Sequence, residues 1–273
     1  MPLKLTWSAV EKPWGREDLP ALFPNPERRK IGEVWFEGAK GSELPLLVKY
    51  LFTSERLSIQ VHPDDAQARA RGLARGKQEC WYILECDEGA VLGIGLTREL
   101  SLAAMRAAIA DGSIEGLIDW RPVSPGDFFL IPAGTVHAIG AGMTLVEIQQ
   151  NSDVTYRLYD YGRPRALHLD EGLEVSCLSS YSLAPSRAVS GESRILLQPG
   201  LAPFAVEMLS WRAGTSALLR HSNRSWFITL EGSGTIAGRQ FGPGECWLVE
   251  PGETITGLDE GSALVATYSE PVA

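Results

Sequence analysis

Ser58, Gln60 and His62 take alternate positions in LSIQVHPDD (57–65), and Pro63 breaks the run. In a strand, residues i, i+2 and i+4 project from one face. The spacing therefore lines up a hydroxyl, an amide and an imidazole. Such a row could hold a metal or a sugar, and a polar sheet face against solvent would show the same spacing. Farther on, Lys77 and Glu79 stand two apart, and His137 follows the turn Pro132-Ala133-Gly134. Gln60, His62, Glu79 and His137 together offer two imidazoles, one carboxylate and one amide oxygen, with no thiolate. A mixed nitrogen–oxygen set suits a divalent ion such as zinc, and Fe, Mn, Co or Ni could also use it.

The elements that must position these residues read as strands. LPLLVKYLF (44–52), CWYILE (80–85), GDFFLIP (126–132), MTLVEIQQ (143–150) and VTYRLYDY (154–161) are short apolar runs bounded by Gly, Pro and Asp. That pattern predicts an all-β sandwich or barrel. Two stretches depart from it. DDAQARARGLARG (64–76) predicts a short helix, and 97–120, with Leu102, Met105 and Ile109 at helical spacing, predicts a helical insertion.

A repeat organises the rest. WYILECDEGA (81–90) resembles WFITLEGSGT (226–235), and GDFFLIPAGTVH (126–137) resembles GECWLVEPGETI (244–255), in the same order. Two copies of one small β-barrel are expected, over 1–180 and 190–273, with the boundary in the Ser-rich stretch 179–193. Aligned on the two tryptophans, Glu79 faces Arg224 and His137 faces Ile255. His62 would then match His221, and Gln60 would match Leu219. The first copy keeps a polar set that the second has lost. A site in the first barrel explains this, whereas solvation would leave both copies similarly polar.

With 25 basic and 34 acidic residues the chain carries −9, which argues against non-specific binding to nucleic acid or an anionic membrane. An anionic substrate would therefore need a local cation, and Lys77 beside Glu79 supplies one. The four cysteines form no CxxC pair, and no apolar run reaches 18 residues. A cytoplasmic protein with reduced thiols is expected, with Cys80 and Cys86 packing as small hydrophobes.

GDFFLIPAGTVHAI resembles the second motif of cupins. LLVKYLFTSERLSIQVHPDD, GKQECWYIL, IPAGTVHAI and EIQQNSDVTYRLYDYGR together resemble type I mannose-6-phosphate isomerases, over roughly residues 5–175. The resemblance implies two cupin barrels, mainly β, and zinc on Gln60, His62, Glu79 and His137. It implies an active-site Arg157, Ser58 and Lys77 near the sugar phosphate, and Glu147 as a carboxylate that helps move the proton. It also implies a phosphorylated hexose as substrate. Trp14 and the segment Glu33–Trp35 would support the wall of the site. His168, with Arg163 and Arg165, would either assist a phosphate or cap and pack before a helix. The chain departs from longer members in having no room for their large helical domain beyond 97–120. A metal-bearing sugar-phosphate sensor is the rival reading, and an outward-facing Arg157 would favour it. A cupin oxygenase is a second rival, against which Gln60 as a fourth ligand argues.

Overall fold

The computed structural model describes residues 1–39 and 42–269. Its strands form four antiparallel sheets of seven, five, six and four strands. The seven-stranded sheet includes, in order, Asp127–Ile131, Glu79–Cys86, Met143–Gln150, Leu46–Thr53 and Ile31–Glu37. Facing it is the five-stranded sheet Tyr156–Tyr159, Ile59–Val61, His137–Ile139, Val91–Leu96 and Ile118–Pro122. In the second half, Cys246–Val249, Ser225–Glu231, Gly261–Tyr268 and Phe204–Trp211 belong to the six-stranded sheet. Ser216–Leu218, Thr254–Gly257, Gly234–Ile236 and Arg239–Phe241 make the four-stranded one. The strand order of the first pair of sheets recurs in the second, so the repeat is one of topology.

Four apolar cores separate the layers. Trp81, Ile83, Leu92, Ile94, Phe129 and Leu145 fill the space between the seven- and five-stranded sheets. Phe227, Trp247, Val265, Ile236 and Ile255 do the same for the six- and four-stranded sheets. The other faces of the two large sheets meet each other, Val48, Tyr50, Phe52 and Ile148 against Phe204, Trp226, Ile228 and Leu264. Helices cover the outer face of the five-stranded sheet, with Met105 and Ile109 packed on Ile59, Val61 and Leu158. Both large sheets are thus buried on both faces, which explains why their strands read as continuous apolar runs rather than alternating ones.

The helical expectations hold in shortened form. Asp65–Ala70 is the only helix in 64–76; Asp64 caps it, in a reciprocal box with Gln67, and the chain turns out at Gly72, φ +76°. Within 97–120 the helix is Leu102–Asp111, capped by Ser101 and ended by Gly112 at φ +80°. A single 3₁₀ turn, Ser113–Leu117, follows it, and 118–120 enter the strand Ile118–Pro122 instead. The second copy joins the corresponding strands with the two-residue turn Ala237-Gly238, both at positive φ, the usual hairpin solution. The insertion therefore replaces a tight turn.

Ile148→Ala removes a side chain buried in the core between the two large sheets. It is expected to cost about 2–5 kcal/mol of unfolding free energy. Urea denaturation followed by tryptophan fluorescence and far-UV circular dichroism should report the same shift, because residues of both halves line that core.

Candidate active site

The site lies between the seven- and five-stranded sheets, and strand alternation puts it there. Ile59 and Val61 point out to the helices, so Ser58, Gln60 and His62 point in. His137 pairs with Gln60 on one side and Arg157 pairs with Gln60 on the other. Directly paired residues share a sheet face, so His137, Gln60 and Arg157 form one inward row. Tyr156 and Leu158, the neighbours of Arg157, pack among the helices. On the facing sheet Trp81, Glu147, Lys49 and Trp35 form a second row through successive pairings, with Gln149 opposite Glu79 alongside it.

Three of the sequence-predicted ligands converge. One ligand atom each from His62, Glu79 and His137 lies within 4.8 Å of the others. His62 Nε2 is 3.5 Å from one oxygen of Glu79, and His137 Nε2 is 3.3 Å from the other. Each imidazole donates its Nδ1–H to a backbone carbonyl, His62 to Val154 at 2.9 Å and His137 to Thr135 at 2.8 Å. A carbonyl oxygen can only accept, so both rings carry their proton on Nδ1 and aim a bare Nε2 at the centre. Among the described residues His62 Nε2 and Glu79 Oε1 are buried without a hydrogen-bond partner, and Glu79 Oε2 has only the Lys77 ammonium near it. Orphaned acceptors gathered in one spot fit a bound cation.

Gln60 completes the ring. Its Nε2 lies 3.3 Å from His137 Nε2, and its Oε1 accepts from Ser58 Oγ at 3.2 Å. Turned end for end, the same amide would offer Oε1 to the centre and an N–H to Ser58. Lys77 Nζ sits 3.0 Å from Glu79 Oε2.

Burial and charge set the protonation states. Burial pushes the His62 imidazole down to about 3, Lys77 adds to this, and Glu79 opposes it. Burial also lowers His137. Burial alone would raise the Glu79 carboxyl, but the Lys77 ammonium holds it well below the usual carboxylate range. For Lys77 burial works downward, and Glu79 and Glu147 overcome it, so the ammonium is raised. The centre therefore presents two neutral imidazoles, a carboxylate and an ammonium.

Glu147 is buried with both oxygens engaged, Oε1 by Lys49 Nζ at 3.0 Å and Oε2 by Trp81 Nε1–H at 3.0 Å. Sequence reasoning missed Lys49. It sits inside the apolar run LPLLVKYLF, where a single charge is the one irregularity, and the structure shows it buried. Glu33, expected in the wall, is held low: burial would raise it, but Lys49 and Lys12 prevail, and Trp35 donates to it at 2.6 Å. Trp14 is in the wall core as expected.

Among the described residues Arg157 makes no ion pair. Asp160, a possible partner, is taken by Arg163 and Arg165 at 2.8 and 2.6 Å. His168 precedes the helix Leu169–Val175 but makes no side-chain cap. Instead its Nδ1 accepts from the Arg157 N–H at 3.2 Å, and its own N–H donates to the Arg157 carbonyl at 2.8 Å. It fixes the backbone that carries the guanidinium.

The register corrects the residue matching between the two copies. Trp81 faces the inner core, but Trp226 faces the core between the large sheets, and Phe227 takes the inner place. The Trp blocks are therefore offset by one, and Glu79 corresponds to Ser225, not Arg224. Gly134 N–H donates to the His62 carbonyl, and Gly252 N–H donates to the Leu219 carbonyl. His62 thus corresponds to Leu219 rather than His221, and Gln60 to Ala217, which pairs with Ile255 as Gln60 pairs with His137. His221 is engaged elsewhere, with Glu207 at 3.0 Å. A cavity of about 540 Å³ lined by Phe23, Tyr50, Tyr82 and Met208 lies between the large sheets and includes none of the ligating residues.

Comparison with known proteins agrees with this geometry. The family described as phosphomannose isomerase type I, catalytic domain, matches residues 25–107, which hold Gln60, His62, Lys77 and Glu79. Mannose-6-phosphate isomerase ManA of Bacillus subtilis is 36% identical over 230 residues, covering 77% of this chain and 71% of that protein. The mannose-6-phosphate isomerase of Streptococcus mutans is 44% identical over 146 residues, 51% of this chain; there the match spans about half the relative's length, 46%. A crystal structure of the Bacillus subtilis mannose 6-phosphate isomerase superposes with a TM-score of 0.82 at 28% identity, over 97% of this chain and 99% of that one. Among the described residues no helix is long and apolar enough to cross a membrane.

In the metal-free chain, the neutral His62 makes stability depend on pH. Its imidazole stays unprotonated down to about 3 when folded, against 6.5 ordinarily, so on acidification the unfolded chain binds the extra proton first. The stabilisation is complete above about pH 6.5 and is lost below it at about 1.4 kcal/mol per pH unit. Glu79, held low, adds its own loss only below its ordinary 4.5. Urea titrations of the chelated protein between about pH 7.5 and about pH 5 should show at least this slope, and His62→Gln should reduce it to the share left by His137, which burial also lowers.

Proposed function

The chain belongs to the type I phosphomannose isomerase family, and on that footing we propose that it interconverts mannose 6-phosphate and fructose 6-phosphate. The observation that carries this reading is the inward row His137, Gln60 and Arg157, facing a buried Glu79 with its ammonium neighbour Lys77. A guanidinium without a carboxylate partner among the described residues, on the same face as a set of bare ligand atoms, suits an anionic, oxygen-rich substrate. The sensor reading required Arg157 to turn outward, and its pairing with Gln60 opposes that. Regulation through DNA would also sit badly with a charge of −9.

In this reading His62, Glu79, His137 and the amide oxygen of Gln60 hold one zinc ion, the common occupant of such a set. When bound, the ion supplies Lewis acidity and a template for sugar hydroxyls. The remaining work falls to side chains. Going from aldose to ketose, a base takes the proton from C2, the aldehyde oxygen gains a proton to give an enediol, and the base returns a proton to C1 while the C2 hydroxyl loses its own. Glu147 is assigned as that base. Its Oε1, oriented by Lys49, keeps a lone pair beyond the existing bond, as carboxylate oxygens do. Arg157 stabilises the negative oxygen of the enediol stage. Lys77 and Ser58 complete the substrate contacts, Lys77 as a cation and Ser58 through the amide of Gln60 that it orients.

A coupled assay of fructose 6-phosphate formation tests the assignment. Activity should vanish with chelator and return with zinc. Arg157→Ala should lower kcat about 10²-fold or more, and Glu147→Gln about 10²–10⁴-fold, with zinc content retained in both. Absence of turnover in every metal-loaded sample would overturn the assignment.

A further inference from the structure

We propose that the side-chain oxygen of Gln149 accepts a hydrogen bond from a hydroxyl at C2, C3 or C4 of the bound sugar; the inference rests on the phosphosugar reading above. Gln149 is buried on the inward face, directly opposite Glu79 on one neighbouring strand and Leu47 on the other, and two residues from Glu147. Its Nε2 donates both protons to backbone carbonyls, of Gln150 at 2.9 Å and of Ser152 at 2.8 Å. Turning the amide over would set its oxygen against two carbonyl oxygens, so the network fixes which end is the acceptor. That oxygen, Oε1, is buried with no hydrogen-bond partner among the described residues.

Anchoring the turn that follows the strand needs only the N–H groups. The oxygen is left over, and a buried acceptor without a donor is a cost that native structures rarely carry for nothing. No donor of the described residues lies within hydrogen-bond reach of this oxygen: Lys77 is placed against Glu79, and Lys49 and Trp81 against Glu147. A ligand in the site can bring the missing donor. A phosphate dianion brings none and would be repelled by a carbonyl oxygen. A sugar hydroxyl brings one. Gln149 thus reads the polyol end of the substrate, leaving the phosphate to cationic groups.

The test compares native zinc-loaded protein with Gln149→Met, which keeps the length of the side chain and removes its hydrogen bonding. Substrates are mannose 6-phosphate and its 3-deoxy and 4-deoxy analogues. The 2-deoxy analogue, which cannot become a ketose, is read as a competitive inhibitor. Gln149→Met is expected to lower kcat/KM for mannose 6-phosphate about tenfold. One deoxy compound should be penalised about tenfold by the native protein, and the variant should add no further loss with that compound. Native penalties absent for all three compounds would overturn the inference, and this arm needs no variant to fold. Losses that multiply for all three in the variant would overturn it too, assigning Gln149 a purely structural role. Failure of the native protein to convert mannose 6-phosphate at all is a separate result, which removes the isomerase reading and this inference with it.

Discussion

Glu79 is a carboxylate with no exposure to water, set between two sheets. Removing such a charge from solvent costs several kcal/mol unless other groups compensate. Lys77 supplies the opposite charge, but its ammonium is itself buried and reaches only one of the two oxygens. The bare nitrogens of His62 and His137 add more acceptors to the same spot rather than donors. The cluster is therefore electrostatically incomplete by construction, and the rest of the barrel holds it in that state. Backbone carbonyls of Val154 and Thr135 fix the rings, and Ser58 fixes the amide.

The seven-stranded sheet makes this tolerable. One face is mostly apolar and packs on the second half of the chain. Its other face changes character along its length, from Ile83 and Leu145 at one end to Glu79, Glu147, Lys49 and Gln149 at the other. Charges of opposite sign alternate across the pairing direction there, Lys12 to Glu33 and Lys49 to Glu147. Each ion thus meets a partner at short range inside the protein. The apolar end and the intersheet core hold the backbone register on which that alternation depends. The second copy keeps the same sheets and fills the matching interior with Ala217, Leu219, Val265 and Ile255. It has a conventional core where the first copy has a site.

The mainly β class, the repeat, the helical segments and the convergence of His62, Glu79 and His137 were legible in the sequence. His62 announced itself through its alternation with Ser58 and Gln60, and His137 through the turn before it. Lys49 was not legible, because its strand is buried on both faces and an unbroken apolar run hides which positions look inward. The same absence of alternation concealed the one-residue offset between Trp81 and Trp226, since both faces of either strand accept an aromatic. The Gly-acidic blocks aligned correctly because a turn glycine pins them: Gly134 and Gly252 bond to equivalent carbonyls. The backbone role of His168 towards Arg157 depends on pairing across eleven residues, which no local pattern encodes.

The two halves exchange their margins. Leu3–Lys4 lies along Trp247 and Leu248 of the second half, and Ser186–Arg187 lies along Asp127 and Phe128 of the first. During synthesis Leu3–Lys4 emerges long before the strand it must pair with exists. The first barrel can close early, but Leu3–Lys4 must wait until the strand Cys246–Val249 has been made. Severing the chain between the halves would leave each fragment with an uncovered β-edge, and the N-terminal fragment with an unpartnered strand. Unprotected edges of this kind recruit other chains. The crossed margins thus tie completion of both barrels to one late event.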